Sequence, residues 1–362
     1  MARDHLAEAV AFAQAHETPW PRDPHAAPAP GQQPFGVHHG DPPPFNRLRG
    51  PVHARGPSSG VIWQGGVERA AWGEPDRPDL TFSVAKSYLA LLAGVAHGRG
   101  LLPDPHAAVG AGLPGIGFDG PHNGAVTWAH LLEQTSEWEG SCFGLPDTVD
   151  RYRRVAHDPD PPAGRKGDAR PLARPGGYWE YNDVRINQLA LALLHLFGEP
   201  LPEVFATAVL QPLGVRGGWR WVGYDDAWVD LPPRAGRPGR RVQSVPGGSH
   251  WGGGVSIGAR DQARIGQLLL DGGRQGTVQA VPADWVARMR EPCALAPFYG
   301  WLVWLNRGGR LFAGASEDSC FMTGAGGHYV WIEPERGAVV VARWLDPAQA
   351  AGFVQRVARA LA

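Results

Sequence analysis

Lysine is nearly absent from this sequence. Only two of the 34 basic residues are lysines, Lys86 and Lys166, and arginine supplies all the others. Arginine stays protonated in proteins, whereas a lysine can act as a neutral base once burial disfavours its charge. A lysine in such a chain is therefore a candidate for a reaction in which a proton has to leave.

Net charge, cysteine and long apolar runs are also scarce. A formal charge of −1 without a long basic run argues against nucleic acid or an anionic membrane as a partner. The three cysteines are odd in number and widely spaced, so we expect reduced thiols, not disulfides or a zinc site. The sequence contains no run of about 18 apolar residues, so we predict no membrane span. Charged residues interrupt the N-terminal apolar stretch, so we predict no signal peptide and a cytoplasmic location.

Strand-like runs occur near both ends of the chain, with helices and loops between them. At 362 residues the chain is longer than one hydrophobic core usually serves, which predicts two subdomains. The apolar patterns predict a hairpin at 59–73, strands at 300–306, 328–334 and 337–345, helices at 1–21, 126–138, 184–197, 259–273 and 347–362, and a helix of about 16 residues beginning near Ser83.

These elements predict an α/β (α+β) fold assembled from both ends of the chain. We expect an N-terminal helix and irregular arm at 1–55, a sheet domain formed by 56–105 together with 245–362, and a mainly helical insert at 106–244. The insert carries a long polar, proline-rich loop at 141–177, and loops of that length usually act as lids or binding loops.

Ser83 and Lys86 stand three residues apart at the start of the predicted helix. Positions i and i+3 share one helix face, so the lysine can reach the serine hydroxyl. A nucleophilic serine needs a nearby base, and a neutral amine can serve as one. The alternative is an ordinary helix start, with Ser83 as the N-cap and Lys86 as a solvated lysine. The spacing leaves both interpretations open.

A second motif gives the sequence a resemblance to a known family. The S-x-x-K pair resembles the marker of the serine β-lactamase and penicillin-binding-protein superfamily. In class C β-lactamases and family VIII carboxylesterases a Y-x-N motif follows, and "PGGYWEYNDVRINQLA" is similar to it, with Tyr181 at its start. The resemblance implies that Tyr181 is a general base, alone or as a relay with Lys86. Asp183 replaces the final asparagine, and its negative charge would favour the ammonium form of the lysine.

The third motif of the superfamily, K-T-G on a strand, is altered here to Met322-Thr323-Gly324. In lactamases and transpeptidases the lysine helps to hold the substrate carboxylate, so its loss counts against penicillin-type substrates. The resemblance implies that Gly324 lets substrate approach the strand. It also implies an oxyanion hole formed by the backbone N–H groups of Ser83 and Ala325.

The resemblance extends over about residues 55–362 and is closest in pattern to the 6-aminohexanoate-dimer hydrolases, the nylon-oligomer hydrolases. It implies the β-lactamase/transpeptidase-like fold, an antiparallel sheet flanked by helices plus a mainly helical subdomain. Aromatic residues near the motifs, Trp138, Trp179 and Trp251, suggest pocket walls, and core packing is the alternative for each. His328 follows the third motif, where it borders the pocket or serves the structure.

The resemblance implies a serine hydrolase that acts through an acyl-enzyme on small esters or amides, without metal or other cofactor. Relatives are often dimers, which favours a homodimer. Two other interpretations stay open, namely a non-catalytic binding or sensing module with the same fold, and a β-lactamase or D-peptidase. No G-x-S-x-G is present, so an α/β-hydrolase nucleophile elbow is unsupported.

Overall fold

The computed structural model describes residues 2–30, 34–36, 38–233 and 238–362. In chain order the strands are β1 (Ser59–Gln64), β2 (Val67–Trp72), β3 (Asp79–Leu80), β4 (Ser141–Cys142), β5 (Leu145–Pro146), β6 (Arg220–Val222), β7 (Trp228–Leu231), β8 (Arg240–Gln243), β9 (Gly254–Ile257), β10 (Arg274–Gln275), β11 (Val278–Gln279), β12 (Trp304–Leu305), β13 (Cys320–Gly324), β14 (His328–Glu333) and β15 (Ala338–Arg343). The α-helices are α1 (Ala2–Ala15), α2 (Val84–Gly98), α3 (Val109–Gly112), α4 (Trp128–Leu132), α5 (Asp183–Phe197), α6 (Leu201–Phe205), α7 (Ala259–Leu270), α8 (Ala283–Met289) and α9 (Ala350–Ala360).

A six-stranded antiparallel sheet combines strands from both ends of the chain. Its order is β12-β13-β14-β15-β1-β2, so the C-terminal strand β15 pairs with the N-terminal strand β1. The hairpin between β1 and β2 turns at Gly65 and Gly66, whose φ values of 60° and 75° suit the tight turn of a two-residue hairpin. The predicted antiparallel sheet flanked by helices is confirmed.

Helices cover both faces of this sheet, which explains why its central strands are buried throughout. On one face α7 approaches so closely that a side chain at Gly266 would collide with Val339. On the other face α9 packs beside α1, and Phe353 lies against Trp72 with ring centroids 5.8 Å apart. Every residue of β14 and β15 is buried, as expected for strands covered on both sides.

The part of the molecule that contains α5 packs on α2. This helix is buried from Val84 to Ala96 and lies between the sheet and α5, which is also mostly buried. The predicted insert at 106–244 contains helices α3 to α6, and it also contains the short strands β4 to β8. One of these, β6, joins β3 and β9 in a separate three-stranded sheet.

Two predicted elements are shorter than the sequence pattern indicated. The predicted helix at 126–138 ends at Leu132, because Gln134 and Glu137 adopt positive φ values of 60° and 47°. The side chain and carbonyl of Gln134 instead accept hydrogen bonds from the backbone of Asn182 and Glu180, at 2.8 and 3.0 Å. The predicted strand at 300–306 is limited to β12, since Leu302 has a φ of 56°.

The long segment after β5 is irregular but tightly held. Residues 151–182 form neither helix nor strand in the described chain. Arg151 bonds to Asp147 at 2.9 Å, and Arg170 bonds to Glu137 at 2.6 Å. No single described helix has the length and apolar character of a membrane span; only the bent pair Asp183–Phe197 and Leu201–Leu210, at 74°, has them jointly.

Candidate active site

Ser83 lies at the N-cap of α2, but its side chain does not cap the helix. Its Oγ accepts a hydrogen bond from Lys86 Nζ at 2.8 Å. Lys86 is 1% exposed, so it is not a solvated surface lysine. The ordinary helix-start interpretation of this serine and lysine therefore does not describe their geometry.

The residue before the serine has a strained backbone. Phe82 has a φ of 51°, a region that bulky side chains avoid. An aromatic cluster holds it there: its ring lies 5.4 Å from that of Trp20 and 6.1 Å from that of Trp344. Strain of this kind persists where the surrounding packing fixes it, and here it sets the direction in which Ser83 points.

The second motif reaches the serine through the start of α5. Asn182 caps this helix by accepting hydrogen bonds from the N–H groups of Val184 and Arg185. The cap places Tyr181 and Asp183 on the Lys86 side of the helix. Asp183 Oδ1 lies 2.6 Å from Lys86 Nζ, which is itself 4.8 Å from the ring centroid of Tyr181.

Asp183 is an anion held between two buried cations. Its second oxygen, Oδ2, lies 2.6 Å from Arg153, which also faces the ring of Tyr181 at 5.5 Å. Burial alone would raise the pKa of this carboxyl, but the charges of Arg153 and Lys86 outweigh it and hold the pKa well below its usual range. Asp183 therefore shares its charge between Lys86 and Arg153.

Further ion pairs extend this contact to three other segments. Asp150 Oδ2 lies 3.2 Å from Arg153, and its Oδ1 lies 3.2 Å from Lys166 Nζ. Lys166 also contacts Asp41 of the N-terminal arm, which accepts a bond from His250 Nε2 at 2.8 Å. Both lysines of the chain thus belong to one buried network of alternating charges.

The third motif lies against the start of α2. A side chain at Gly324 would overlap the carbonyl oxygen of Thr81, so only glycine lets β13 approach this turn. Thr323, Gly324 and Ala325 line the same cavity as Ser83. Met322 is 1% exposed and does not line the cavity among its described walls.

The two amides predicted for an oxyanion hole belong to the ends of these elements. Ser83 precedes α2 and Ala325 follows β13. Among the described residues, neither N–H donates to another backbone carbonyl in a turn or loop. Both residues face the cavity, where a developing negative charge would find these donors and the positive end of the helix dipole.

The cavity in front of Ser83 has a volume of about 270 Å³. Its walls come from the N-terminal arm, the start of α2, the irregular segment 151–182, the loop that carries His250, the sheet edge and the turn before α9. They are formed by Trp20, Ser83, Arg153, Arg154, Val155, Ala156, His157, Lys166, Tyr181, His250, Trp304, Thr323, Gly324, Ala325, Gly326, Tyr329 and Pro347. A volume of this size holds a small substrate.

Lys86, Met322 and Asp183, the last predicted to bind substrate, do not line this cavity, and four of the ring-bearing residues singled out from the sequence do not line it either. Trp138 and Trp251 are buried, and their indole N–H groups donate to Gly117 O at 2.7 Å and to Asp41 at 3.0 Å. His328 is fully buried, 4.3 Å from the ring of Trp344, and burial lowers its pKa well below the usual range. Trp179 lines a neighbouring cavity of about 370 Å³ that shares Arg153 and Tyr181 with the first.

Three groups of the network have the spacing of metal ligands. Oxygens of Asp150 and Asp183 and a nitrogen of His250 lie within 4.8 Å of one another. The carboxylate oxygens already face Lys86, Arg153 and Lys166, however, and a metal ion would meet these positive charges. The cluster is better described as an ion-pair network.

Sequence reasoning missed Asp41, Asp150, Arg153, Lys166 and His250. One signal could have found Lys166, since it is the second lysine in a chain that avoids lysine. The other four lie in loops whose spacing to Ser83 is set only by folding, and no motif marks them. Gly248 was also missed, although a Cβ there would lie 3.3 Å from Lys86 Nζ and 3.5 Å from Ser83 Oγ.

Comparison with known structures agrees with this fold. EstCE1, a hydrolase with promiscuous acyltransferase activity, aligns with a TM-score of 0.58 at 19% identity over 84% of this chain and 93% of its own. A class C beta-lactamase from Rhodobacter sphaeroides gives 0.56 at 19% identity over 85% and 95%. A proposed 6-aminohexanoate-dimer hydrolase from Bacillus anthracis gives 0.57 at 15% identity over 83% and 78%. These likenesses establish the fold.

The family follows from the sequence itself. The comparison with curated proteins gave no match. The profile of the family described as Beta-lactamase matches residues 60–348, which include Ser83, Lys86, Tyr181 and the strand that carries Gly324. The match covers most of the chain, so this chain belongs to the beta-lactamase family.

Proposed function

We propose that the protein is a serine hydrolase that cleaves small esters or amides through an acyl-enzyme, in the manner of a carboxylesterase or 6-aminohexanoate-oligomer hydrolase. The observation that carries the proposal is the 2.8 Å contact between Lys86 Nζ and Ser83 Oγ at the wall of a cavity. Lys86 also pairs with Asp183, but that ion pair does not require a serine hydroxyl within hydrogen-bond reach, whereas a nucleophile and the group that takes its proton need this distance.

In the proposed reaction the proton of Ser83 passes to Tyr181 with Lys86 as the relay: the ammonium gives one proton to the tyrosinate as it takes the proton of Oγ, and Oγ attacks the substrate carbonyl. Lys86 contacts the hydroxyl directly, and Tyr181 borders the cavity beside Lys86. The same pair returns the proton to the leaving alcohol or amine, so that the bond between the carbonyl carbon and the leaving oxygen or nitrogen breaks and an acyl group stays on Ser83. Water then attacks this ester and releases the acid.

The oxyanion of each tetrahedral intermediate is assigned to the amides of Ser83 and Ala325. Gly324 supports this assignment, because its missing side chain brings the β13 end against the residue before Phe82. Donors that are fixed before the substrate arrives stabilise the developing charge without reorganising.

The choice of ester or linear amide over β-lactam rests on the third motif. Met322 occupies the lysine position, and its buried side chain offers no charge to the cavity. Aromatic and small apolar groups form much of the remaining wall, including Trp20, Trp304 and Val155. Such walls suit a short acyl chain.

The proposal is tested by labelling the purified protein with a fluorophosphonate and measuring intact mass. Wild type should gain one adduct, and Ser83→Ala should gain none. Lys86→Arg and Tyr181→Phe should react about 100-fold or more slowly, because each interrupts the path by which the proton leaves Ser83. Thermal unfolding of all four proteins controls for misfolding.

Absence of an adduct on folded wild type would contradict the proposal and favour a binding or sensing module. Rapid turnover of a chromogenic β-lactam, with slow turnover of 4-nitrophenyl esters and linear amides, would instead indicate a β-lactamase or D-peptidase. Hydrolysis of short esters or of 6-aminohexanoate amides by wild type, lost in Ser83→Ala, is the expected result.

A further inference from the structure

The walls of the Ser83 cavity carry charge of one sign. Arg153, Arg154 and Lys166 line it, and none of the described residues on its walls is Asp or Glu. The N-terminal end of the 15-residue helix α2 adds a positive partial charge at Ser83. The electrostatic potential inside the cavity therefore depends on how far carboxylates outside the cavity wall neutralise each of these three cations.

Two of the three cations are neutralised by buried carboxylates. Arg153 lies 2.6 Å from Asp183 and 3.2 Å from Asp150. Lys166 lies 3.2 Å from Asp150 and also contacts Asp41. Both side chains are thereby committed to holding segments of the protein together, and neither is available as a principal anion site.

Arg154 differs from both neighbours. It is exposed, and it makes no hydrogen bond or ion pair with any residue in the described ranges. Two acidic residues of the same loop, Asp158 and Asp160, form no ion pair with Arg154 among the described residues, and the Asp160 N–H donates to Asp158 at 2.9 Å. The guanidinium thus reaches the reaction cavity with its five donors free.

We propose that Arg154 binds a carboxylate of the substrate, so that the enzyme acts on esters or amides that carry a negative charge near the scissile bond. The inference rests on the proposed function. A planar guanidinium matches a carboxylate in two parallel hydrogen bonds, and an anion at the cavity mouth would meet no acidic wall residue. The carboxylate belongs either to the acyl group or to the leaving group, and the test separates the two.

The experiment compares matched substrates that differ by one charge. For the acyl side these are mono(4-nitrophenyl) glutarate and 4-nitrophenyl pentanoate, which have acyl chains of equal length. For the leaving-group side they are the butyrate esters of 4-hydroxybenzoate and of its methyl ester. The measured quantity is the ratio of kcat/KM for the charged substrate to kcat/KM for the neutral one.

Arg154→Gln should lower this ratio about tenfold or more on one of the two sides, as expected for the loss of a charge-assisted contact. Arg154→Lys should retain part of it. Arg165→Gln is the matched control, because it removes the same charge from the same loop without touching the Ser83 cavity. Its ratio should change less than about twofold.

An unchanged ratio on both sides in Arg154→Gln would overturn the inference. An equal fall in Arg165→Gln would also overturn it, because the effect would then come from the overall field of the loop. Calorimetric titration of Ser83→Ala and of the Ser83→Ala/Arg154→Gln double variant with both substrate pairs separates this inference from the proposed function. If wild type shows no hydrolysis, but one of the two charged esters binds more weakly to the double variant than to Ser83→Ala while its neutral partner does not, the charge site stands and the proposed hydrolysis is wrong. If both charged esters bind the two variants equally, the charge site is wrong.

Discussion

At the scale of single residues, two adjacent glycines pack closely against side chains of α2 and α5 around Ser83. Gly248 faces Lys86, Ser83 and Asp183, and the Cβ of any other residue would lie 3.3 to 3.8 Å from their polar atoms. Gly247, beside it, lies so close to Ile186 that a side chain there would overlap α5. The loop before β9 is thus fitted against both α2 and α5.

Gly248→Ala is expected to slow catalysis without unfolding the protein. The added methyl would push Lys86 Nζ by a few tenths of an ångström, and in the proposed reaction such a displacement of the lysine lowers the rate. We expect the fluorophosphonate reaction to slow about tenfold, with little change in Tm.

Gly217→Ala provides the control, since an added Cβ there meets nothing within 4 Å. Wild-type reactivity in Gly248→Ala would show that Lys86 tolerates displacement and that its position is less critical than its contact with Ser83 suggests.

At the scale of elements, the segment 151–168 closes on itself and forms one wall of the cavity. Its ends are joined by the Gly167 N–H, which donates to Arg151 O at 2.9 Å. Lys166 fastens it to Asp150, and His157 docks on the sheet, with Nε2 2.7 Å from the Tyr329 hydroxyl. The predicted lid or binding loop is therefore a tied loop that shapes the site.

Acidification should loosen this loop through His157. Burial lowers the pKa of His157 to about 4, whereas an unfolded histidine has a pKa of about 6.5. Between these values the released histidine binds a proton that the docked one does not, so the docked state loses stability as pH falls from about 6.5 to about 4. Proteolytic cleavage within the loop should become faster over that interval.

His157→Gln is the informative variant, because glutamine keeps a polar group for Tyr329 but does not titrate. Its cleavage rate, measured relative to a pH-insensitive reference peptide, should be flat where that of wild type rises. Parallel slopes for the two proteins would exclude His157 as the group responsible.

At the scale of the whole molecule, Arg343 connects the C-terminal strand β15 to β1, to the loop after β2 and to β9. It is fully buried at the end of β15 and donates to Ser59 Oγ at 2.8 Å on β1. It also donates to the carbonyls of Arg77, Ile257 and Glu74, at 2.7, 3.0 and 2.9 Å. One guanidinium thus satisfies acceptors from the large sheet, the small sheet and the loop before it.

Arg343→Met should destabilise the fold by about 3 kcal/mol, because several buried acceptors lose their donor at once. Urea denaturation gives the free energy of unfolding. Arg359→Met on α9 is the matched control: its ion pair with Glu8 is exposed, and its loss should cost less than about 1 kcal/mol. Equal costs in both variants would contradict the role assigned to Arg343.

Local sequence patterns predicted the elements whose ends do not depend on contacts with distant parts of the chain. The hairpin at Gly65–Gly66, helix α5 and strands β14 and β15 lie within a few residues of their predicted bounds. The pattern overextended the helix at 126–138, because Gln134 bonds to the residues before α5 and not to its own helix. A contact across 48 positions leaves no mark on local periodicity.

The family and the core of the site follow from the order of the residues alone. Ser83 and Lys86 are three residues apart on one helix, so their contact is a consequence of helix geometry. Tyr181 and Asp183 could be assigned because they stand in a recognisable motif beside a helix start. The preference for arginine everywhere else made Lys86 conspicuous among the basic residues.

What surrounds that core depends on folding across the whole chain. Folding brings Asp41, Arg153, Lys166 and His250 from separate loops into one ion-pair network. It also places Trp138, Trp251 and His328 in the interior. The physical reason is that loops have no repeating geometry: where their side chains end depends on the charges and surfaces they meet, and those come from distant parts of the chain.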